Sequence, residues 1–253
     1  MTLTHYLCLM ICGLACASSA TPAATSTAAP PAAAGETQAA LDCYRRAAEA
    51  GQAEAQYRLA LMYRDGEGAE KDYEAYCMWL NKAAKAGYVD AQFELAAHYQ
   101  MGGSFNETPQ EEAARHQLAA EWYRRAAEQG HVDAQWIMGV CYYCGMGVPE
   151  SAADAVHWYR RAAEQGHASA QSSLAGMYEQ GEGVPQSFAE AERWYRRAAA
   201  QGDEEAAEAL EALPEKARRA AAGEDDISID IDLECACGCL LRHACIFSLP
   251  FGA

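Results

Sequence analysis

The fold is decided by AQSSLAGMYEQGEGVP at residues 170–185 and WYRRAAAQG at residues 194–202. The first stretch recurs along the chain. Ala55-Gln56, Ala91-Gln92, Ala134-Gln135 and Ala170-Gln171 are followed by Ala206, at spacings of 36, 43, 36 and 36 residues. Gly51, Gly87, Gly130, Gly166 and Gly202 keep the same spacings, as do Tyr63, Tyr99, Tyr142 and Tyr178. So do Trp79, Trp122, Trp158 and Trp194, with Cys43 in the equivalent place of an earlier half repeat. Four ladders in one register mark a stacked supersecondary unit.

Each unit reads as two helices. Ala55, Leu59, Met62 and Tyr63 form one apolar stripe at i, i+4, i+7 and i+8. The stripe recurs as Ala91, Leu95, His98, Tyr99 and as Ala170, Leu174, Met177, Tyr178. Glycine pairs then break the helix at Gly66 and Gly68, Gly145 and Gly147, and Gly181 and Gly183. The second helix carries Trp-x-x-x-Ala-Ala, and its small alanines allow a neighbouring helix close approach. The last ladder glycine of each unit stands at the C′ position. One helix pair cannot bury its apolar face alone, whereas stacked pairs build a continuous core.

With these motifs the chain resembles the Sel1-like repeat family over residues 41–210. The resemblance implies an all-α, right-handed solenoid related to tetratricopeptide repeats. It also implies a non-catalytic scaffold or adaptor that binds other proteins. Units are expected near 55–90, 91–133, 134–169 and 170–205, preceded by an N-terminal half repeat. A capping helix over 206–221 is broken or kinked at Pro214. The solenoid as a whole spans 39–222. Unit 2 departs from the pattern with seven extra residues and Ser104 in place of the second turn glycine. That insert, near Gly102 to Glu112, reads as a loop and contains the glycosylation sequon at Asn106.

Composition bounds the function. The 253 residues are 51% hydrophobic and 22% charged, with a net charge of −17. Such a balance opposes nucleic-acid binding, which needs a basic surface. No run is long enough for a polytopic membrane protein, and no cofactor is expected. Tyr6 to Ala17 is apolar, and Ala15-Cys16-Ala17 or Ser18-Ser19-Ala20 offers a cleavage site. Residues 1–20 therefore read as a signal peptide and 21–38 as a disordered Ala/Thr/Pro-rich spacer. The expectation is an exported monomer (periplasmic, envelope-associated or secreted) without a membrane span after signal removal. Acylation at Cys16 is a weaker alternative.

Several residues are candidates for chemistry or contact. Arg45-Arg46, Arg124-Arg125, Arg160-Arg161 and Arg196-Arg197 form a basic ladder, read as local i, i+4 pairs of Arg124 with Glu128, Arg160 with Glu164, and Glu192 with Arg196. Tyr57, Phe93 and Trp136 share one repeat position and read as inter-repeat core. Arg58, Glu94, Ile137 and Ser173 vary between units and are the expected outward-facing partner contacts. Cys141 and Cys144 read as a local disulfide or a packing pair, because a redox C-x-x-C belongs in a βαβ unit. Some cysteine-rich relatives are associated with β-lactams, but no Ser-x-x-Lys motif is present. Residues 223–253 form an acidic then Cys-rich tail. Its alternating Ile227, Ile229, Ile231 and Leu233 give a strand signal. Cys235, Cys237, Cys239, His243 and Cys245 are weak metal candidates, since C-x-C-x-C is not the usual zinc spacing. An envelope protein tethered through Cys16 or tail disulfides is a third reading.

Overall fold

The computed structural model describes residues 34–102 and 107–222. The signal peptide, most of the spacer, the sequon at Asn106 and the whole tail lie outside the described residues, the candidate ligands Cys235 to Cys245 included.

Ten helices follow one another among the described residues, with no strand. They are α1 (Ala34–Glu49), α2 (Ala53–Asp65), α3 (Tyr73–Lys85), α4 (Val89–Met101), α5 (Pro109–Glu128), α6 (Val132–Cys144), α7 (Ala152–Glu164), α8 (Ala168–Gln180), α9 (Phe188–Ala199) and α10 (Glu204–Ala222). Each packs mainly against its chain neighbours, with lighter contacts one helix further on, such as Tyr57 of α2 to Glu94 of α4. This is the expected all-α solenoid of helix-turn-helix units.

The apolar stripes become a core shared from α1 to α7, and the same positions are buried again in α8 and α9. Leu59, Leu95, Met138 and Leu174 fill it from the first helices. Trp79, Trp122, Trp158 and Trp194 fill it from the second, with Ala83, Ala126, Ala162 and Ala198 buried one turn later. The ladder glycines Gly51, Gly87, Gly130, Gly166 and Gly202 all have positive φ, between 89° and 96°. Any L side chain is strained there. Each lets the chain close the helix end: Gly87 N–H donates to Ala84 O and Tyr88 N–H to Ala83 O. The second turn glycine has a different task. A Cβ on Gly147 would sit 2.1 Å from His116 O, and one on Gly183 2.4 Å from Ala152 O. These turns touch the backbone of the preceding unit's second helix.

Three expectations are corrected. The helix α1 starts at Ala34, so residues 34–38 are helical rather than part of a disordered spacer. The seven-residue insert of unit 2 is taken up by helix, not by a longer loop. Helix α5 has 20 residues where α3 and α7 have 13. Thr108 caps it: its hydroxyl accepts from Glu111 N–H, and the Glu111 carboxylate accepts from Thr108 N–H in return. Arg115, inside the added turns, donates to Tyr99 O and Gln100 O and forms a fork with Glu107. It thereby satisfies the end of α4, where Gly102 lacks the left-handed conformation of Gly66, Gly145 and Gly181. Of the break or kink expected at Pro214, the break does not occur: helix α10 continues to Ala222. Proline removes one amide donor, and the flanking Ala, Leu, Glu, Lys and Arg are strong helix formers.

Candidate functional site

The second helices carry a row of cations whose partners differ from the i, i+4 pairs expected. Arg45, Arg124 and Arg160 each donate to a tyrosine hydroxyl 18 residues later, on the next unit's first helix: Tyr63 (3.2 Å), Tyr142 (3.2 Å) and Tyr178 (2.9 Å). The following cation stacks on its own unit's tryptophan: Lys82 on Trp79, Arg125 on Trp122, Arg161 on Trp158 and Arg197 on Trp194. Arg196 alone keeps its expected partner, Glu192 (2.6 Å), because Pro214 stands where the next tyrosine would be. The ladder is a set of clasps between and within units.

A buried amide ladder runs beside it. Gln56, Gln92, Gln135 and Gln171 are the four buried polar side chains among the described residues. Each donates to a carbonyl of the previous unit's second helix: Ala48, Ala84, Ala127 and Ala163. Three also accept from a glutamine closing their own unit: Gln129 to Gln92 (2.7 Å), Gln165 to Gln135 (2.6 Å) and Gln201 to Gln171 (2.8 Å). Unit 1 has Ala86 at that place, and Gln56 Oε1 has no hydrogen-bond partner. The sequence used these glutamines only as register marks. An amide kept at a core position was the available signal of a bridging role.

The aromatic ladder is inter-repeat packing, as expected. Tyr57 packs on Tyr88, Phe93 stacks on His131 at 4.3 Å and Trp136 stacks on His167 at 5.0 Å. The two histidines cap their helices, Nδ1 accepting from Ala134 N–H and Ala170 N–H. Their Nε2 atoms face Asp90 (4.0 Å) and Asp133 (3.4 Å), which open the first helices of their own units. Burial lowers the pKa of His131 against the opposing pull of Asp133 and Asp90. The hydrogen bond to His167 lowers that of Asp133.

The proposed contact residues do not share one environment. Arg58 is exposed, while Glu94 and Ser173 are half-buried. Ile137 is 5% exposed and part of the core, so the outward expectation is wrong there. Its position varies in chemistry, yet an isoleucine fills it with apolar volume. Glu94 Oε1 accepts from Tyr57 OH at 2.9 Å and lies 3.5 Å from Arg64, while Oε2 has no hydrogen-bond partner. Burial raises its pKa, with Tyr57 and Arg64 pulling it back.

Cys141 and Cys144 are not joined by a disulfide, and Cys141 is buried, its thiol pushed up to about 12 by desolvation. Such a thiol is a packing residue rather than a nucleophile. A different cysteine has polar company. Cys77 Sγ lies 3.7 Å from His98 Nε2, and Tyr73 OH hydrogen-bonds the same nitrogen. Among the described residues no three His, Cys, Asp or Glu side chains converge, and no helix is long and apolar enough to cross a membrane.

The Sel1 repeat family model matches residues 36–52, 53–88, 89–131, 132–167 and 168–203. These units begin at the first helices, two residues ahead of the Ala-Gln dipeptides. A protective antigen of uropathogenic Escherichia coli with an SLR fold shares 38% identity at a TM-score of 0.55, over 64% of this chain and 33% of that one. A Sel1 repeat protein from Oxalobacter formigenes shares 34% identity at a TM-score of 0.60, over 70% of this chain and 50% of that one. The chain thus spans about a third to a half of the length of these relatives. A search of curated proteins returns no match. Five contiguous repeats, with their glycines, tryptophans and buried amides in register, make the chain a member of the Sel1 repeat family.

Proposed function

We propose that the protein is an exported, non-catalytic scaffold that binds other proteins through the variable surface of its repeats. Sel1 repeat proteins are generally protein-interaction scaffolds. The observation that carries the reading for this chain is the division of roles along each unit. The side chains that recur, Ala, Gln and Trp, are packed between helices, and positions that change include the exposed Arg58 and half-buried Glu94 and Ser173. A rigid stack of this kind displays side chains without bond chemistry. Export rests on the apolar Tyr6 to Ala17 run and the small residues after it.

Capture by the immobilised full chain, compared with Arg58→Ala/Ser173→Ala, tests the reading. A partner should be retained by the wild type and lost by the double variant, with both proteins unfolding at the same temperature. Turnover of nitrocefin or reduction of insulin by the wild type would instead make the chain an enzyme and overturn the proposal.

A further inference from the structure

The interface between α3 and α4 breaks a rule that three others in the stack follow, while at the last one Glu192, paired with Arg196, holds the position of Cys77. In the half repeat and units 2 and 3, the register position of Cys77 holds Leu41, Ala120 and Val156. The position of His98, one unit later, holds Met62, Cys141 and Met177. All six are buried and non-ionised fillers of the core. At the first interface between full units the filler is replaced by two half-buried side chains with soft donor atoms, thiol and imidazole. Beside them Tyr73, one turn before Cys77 on the same helix, is 64% exposed. Three different donors, S, N and O, therefore converge at a point open to solvent.

Their geometry suits a small thiophilic cation. Zinc binds thiolate at about 2.3 Å and imidazole at about 2.0–2.1 Å, so a tetrahedral ion spans an S···N edge of about 3.6 Å. The Cys77 Sγ to His98 Nε2 distance is 3.7 Å. An ion can enter between them without moving a helix once the exposed Tyr73 hydroxyl, which bonds Nε2, turns aside. We propose that Cys77 and His98 bind a thiophilic d10 cation such as Zn²⁺, with Tyr73 OH as the third donor and water completing the shell. Binding releases the Sγ proton to solvent, since a coordinated sulfur is a thiolate. The site joins the second helix of one unit to the first helix of the next, so the ion would clamp two repeats.

Residue-resolved alkylation of the full-length, reduced protein tests the proposal, because it separates Cys77 from every other thiol. With Zn²⁺ present, alkylation of Cys77 should slow about tenfold or more, since a metal-bound sulfur is no longer a free nucleophile. The exposed Cys43 serves as the internal reference and should react at an unchanged rate. His98→Met, which installs the residue found at Met62 and Met177, should fold normally by circular dichroism and abolish the protection. Tyr73→Phe should reduce it only in part. Unchanged Cys77 reactivity with Zn²⁺, or protection that survives in a folded His98→Met, would overturn the proposal.

Discussion

Unit 1 (residues 53–88) and unit 3 (132–167) follow the same repeat pattern but are locked to different degrees. In unit 3, Gln135 is 1% exposed and bonded on both sides, to Ala127 O and from Gln165. Trp136 stacks on His167, and Arg160 reaches Tyr178. In unit 1, Gln56 is bonded on one side only, a tyrosine replaces the capping histidine at Tyr88, and Asn81 stands where the arginine would be. The core residues are equally buried in both. Apolar burial therefore sets the fold of a unit, and the polar bridges decide how firmly it holds its neighbours. The soft-donor cluster of Cys77 and His98 lies in the weaker region.

The largest expected difference lies in the turns. Gly147→Ala places a methyl against His116 O in a backbone with φ of 67°, so both the contact and the conformation must yield. Gly87→Ala in unit 1 meets nothing within 4 Å and is opposed only by its φ of 93°. The second change should cost about 1–2 kcal/mol, the usual penalty of a left-handed L residue, and the first distinctly more. Urea unfolding midpoints of the two variants measure the gap, and equal midpoints would refute the close approach at Gly147.

Next come the bridging amides. Gln135→Leu removes two hydrogen bonds, although Ala127 O keeps Gly130 N–H and the Gln165 amide keeps Arg161 O, and should cost about 1–3 kcal/mol. Gln56→Leu removes one hydrogen bond to Ala48 O, which keeps Gly51 N–H, and also the unpaired Oε1, so it should cost about 0.5–1 kcal/mol. If the two variants unfold alike, the second bond to Gln135 contributes nothing.

Much of this was legible in the sequence because a repeat prints its packing several times over. The glycines at C′, the tryptophans and the alanines one turn later recur at fixed spacing, and each has one physical use. What escaped the reading lacked that redundancy or lay outside local spacing. Arg160 pairs with Tyr178 rather than Glu164, a distance along the chain that no helical spacing suggests. Ile137 was expected outside because its position varies, yet variation does not exclude burial when the substitute is apolar. The insert of unit 2 was read as a loop, although Thr108 and Glu111 form a capping box and the residues after them favour helix. The Cys77–His98 pair involves residues 21 apart on two helices, and only His98 was visible, as a polar member of an apolar stripe.

Unit 1 should be correctable by its own relatives. Ala86 is exposed at the end of α3, in the register of Gln129, Gln165 and Gln201. Ala86→Gln brings an amide donor to Gln56 Oε1, the buried acceptor now without a partner. A hydrogen bond supplied to such an atom should add about 1 kcal/mol. The same substitution in a Gln56→Leu background should add nothing, and an equal gain there would show that the bridge is not its cause.

The smallest effect separates the interfaces by pH. At the end of unit 2, His131 Nδ1 accepts the Ala134 amide while the ring lies on Phe93, so protonating that nitrogen breaks the helix cap. Its pKa is lowered in the folded chain, burial outweighing Asp133 and Asp90. The unfolded chain, with an ordinary histidine near 6.5, therefore binds the proton first. The contribution of the neutral ring is complete above about pH 6.5 and declines as the pH falls below it, until the lower folded value is passed. The end of unit 1 carries Tyr88 at the same position, with a phenol whose pKa burial raises further from this range. His131→Tyr should accordingly narrow the loss of stability between pH 7 and pH 5, while the shared contributions of the other histidines cancel between the two proteins. A stability gap between wild type and variant that stays constant over that range would show that the cap at His131 does not sense protons.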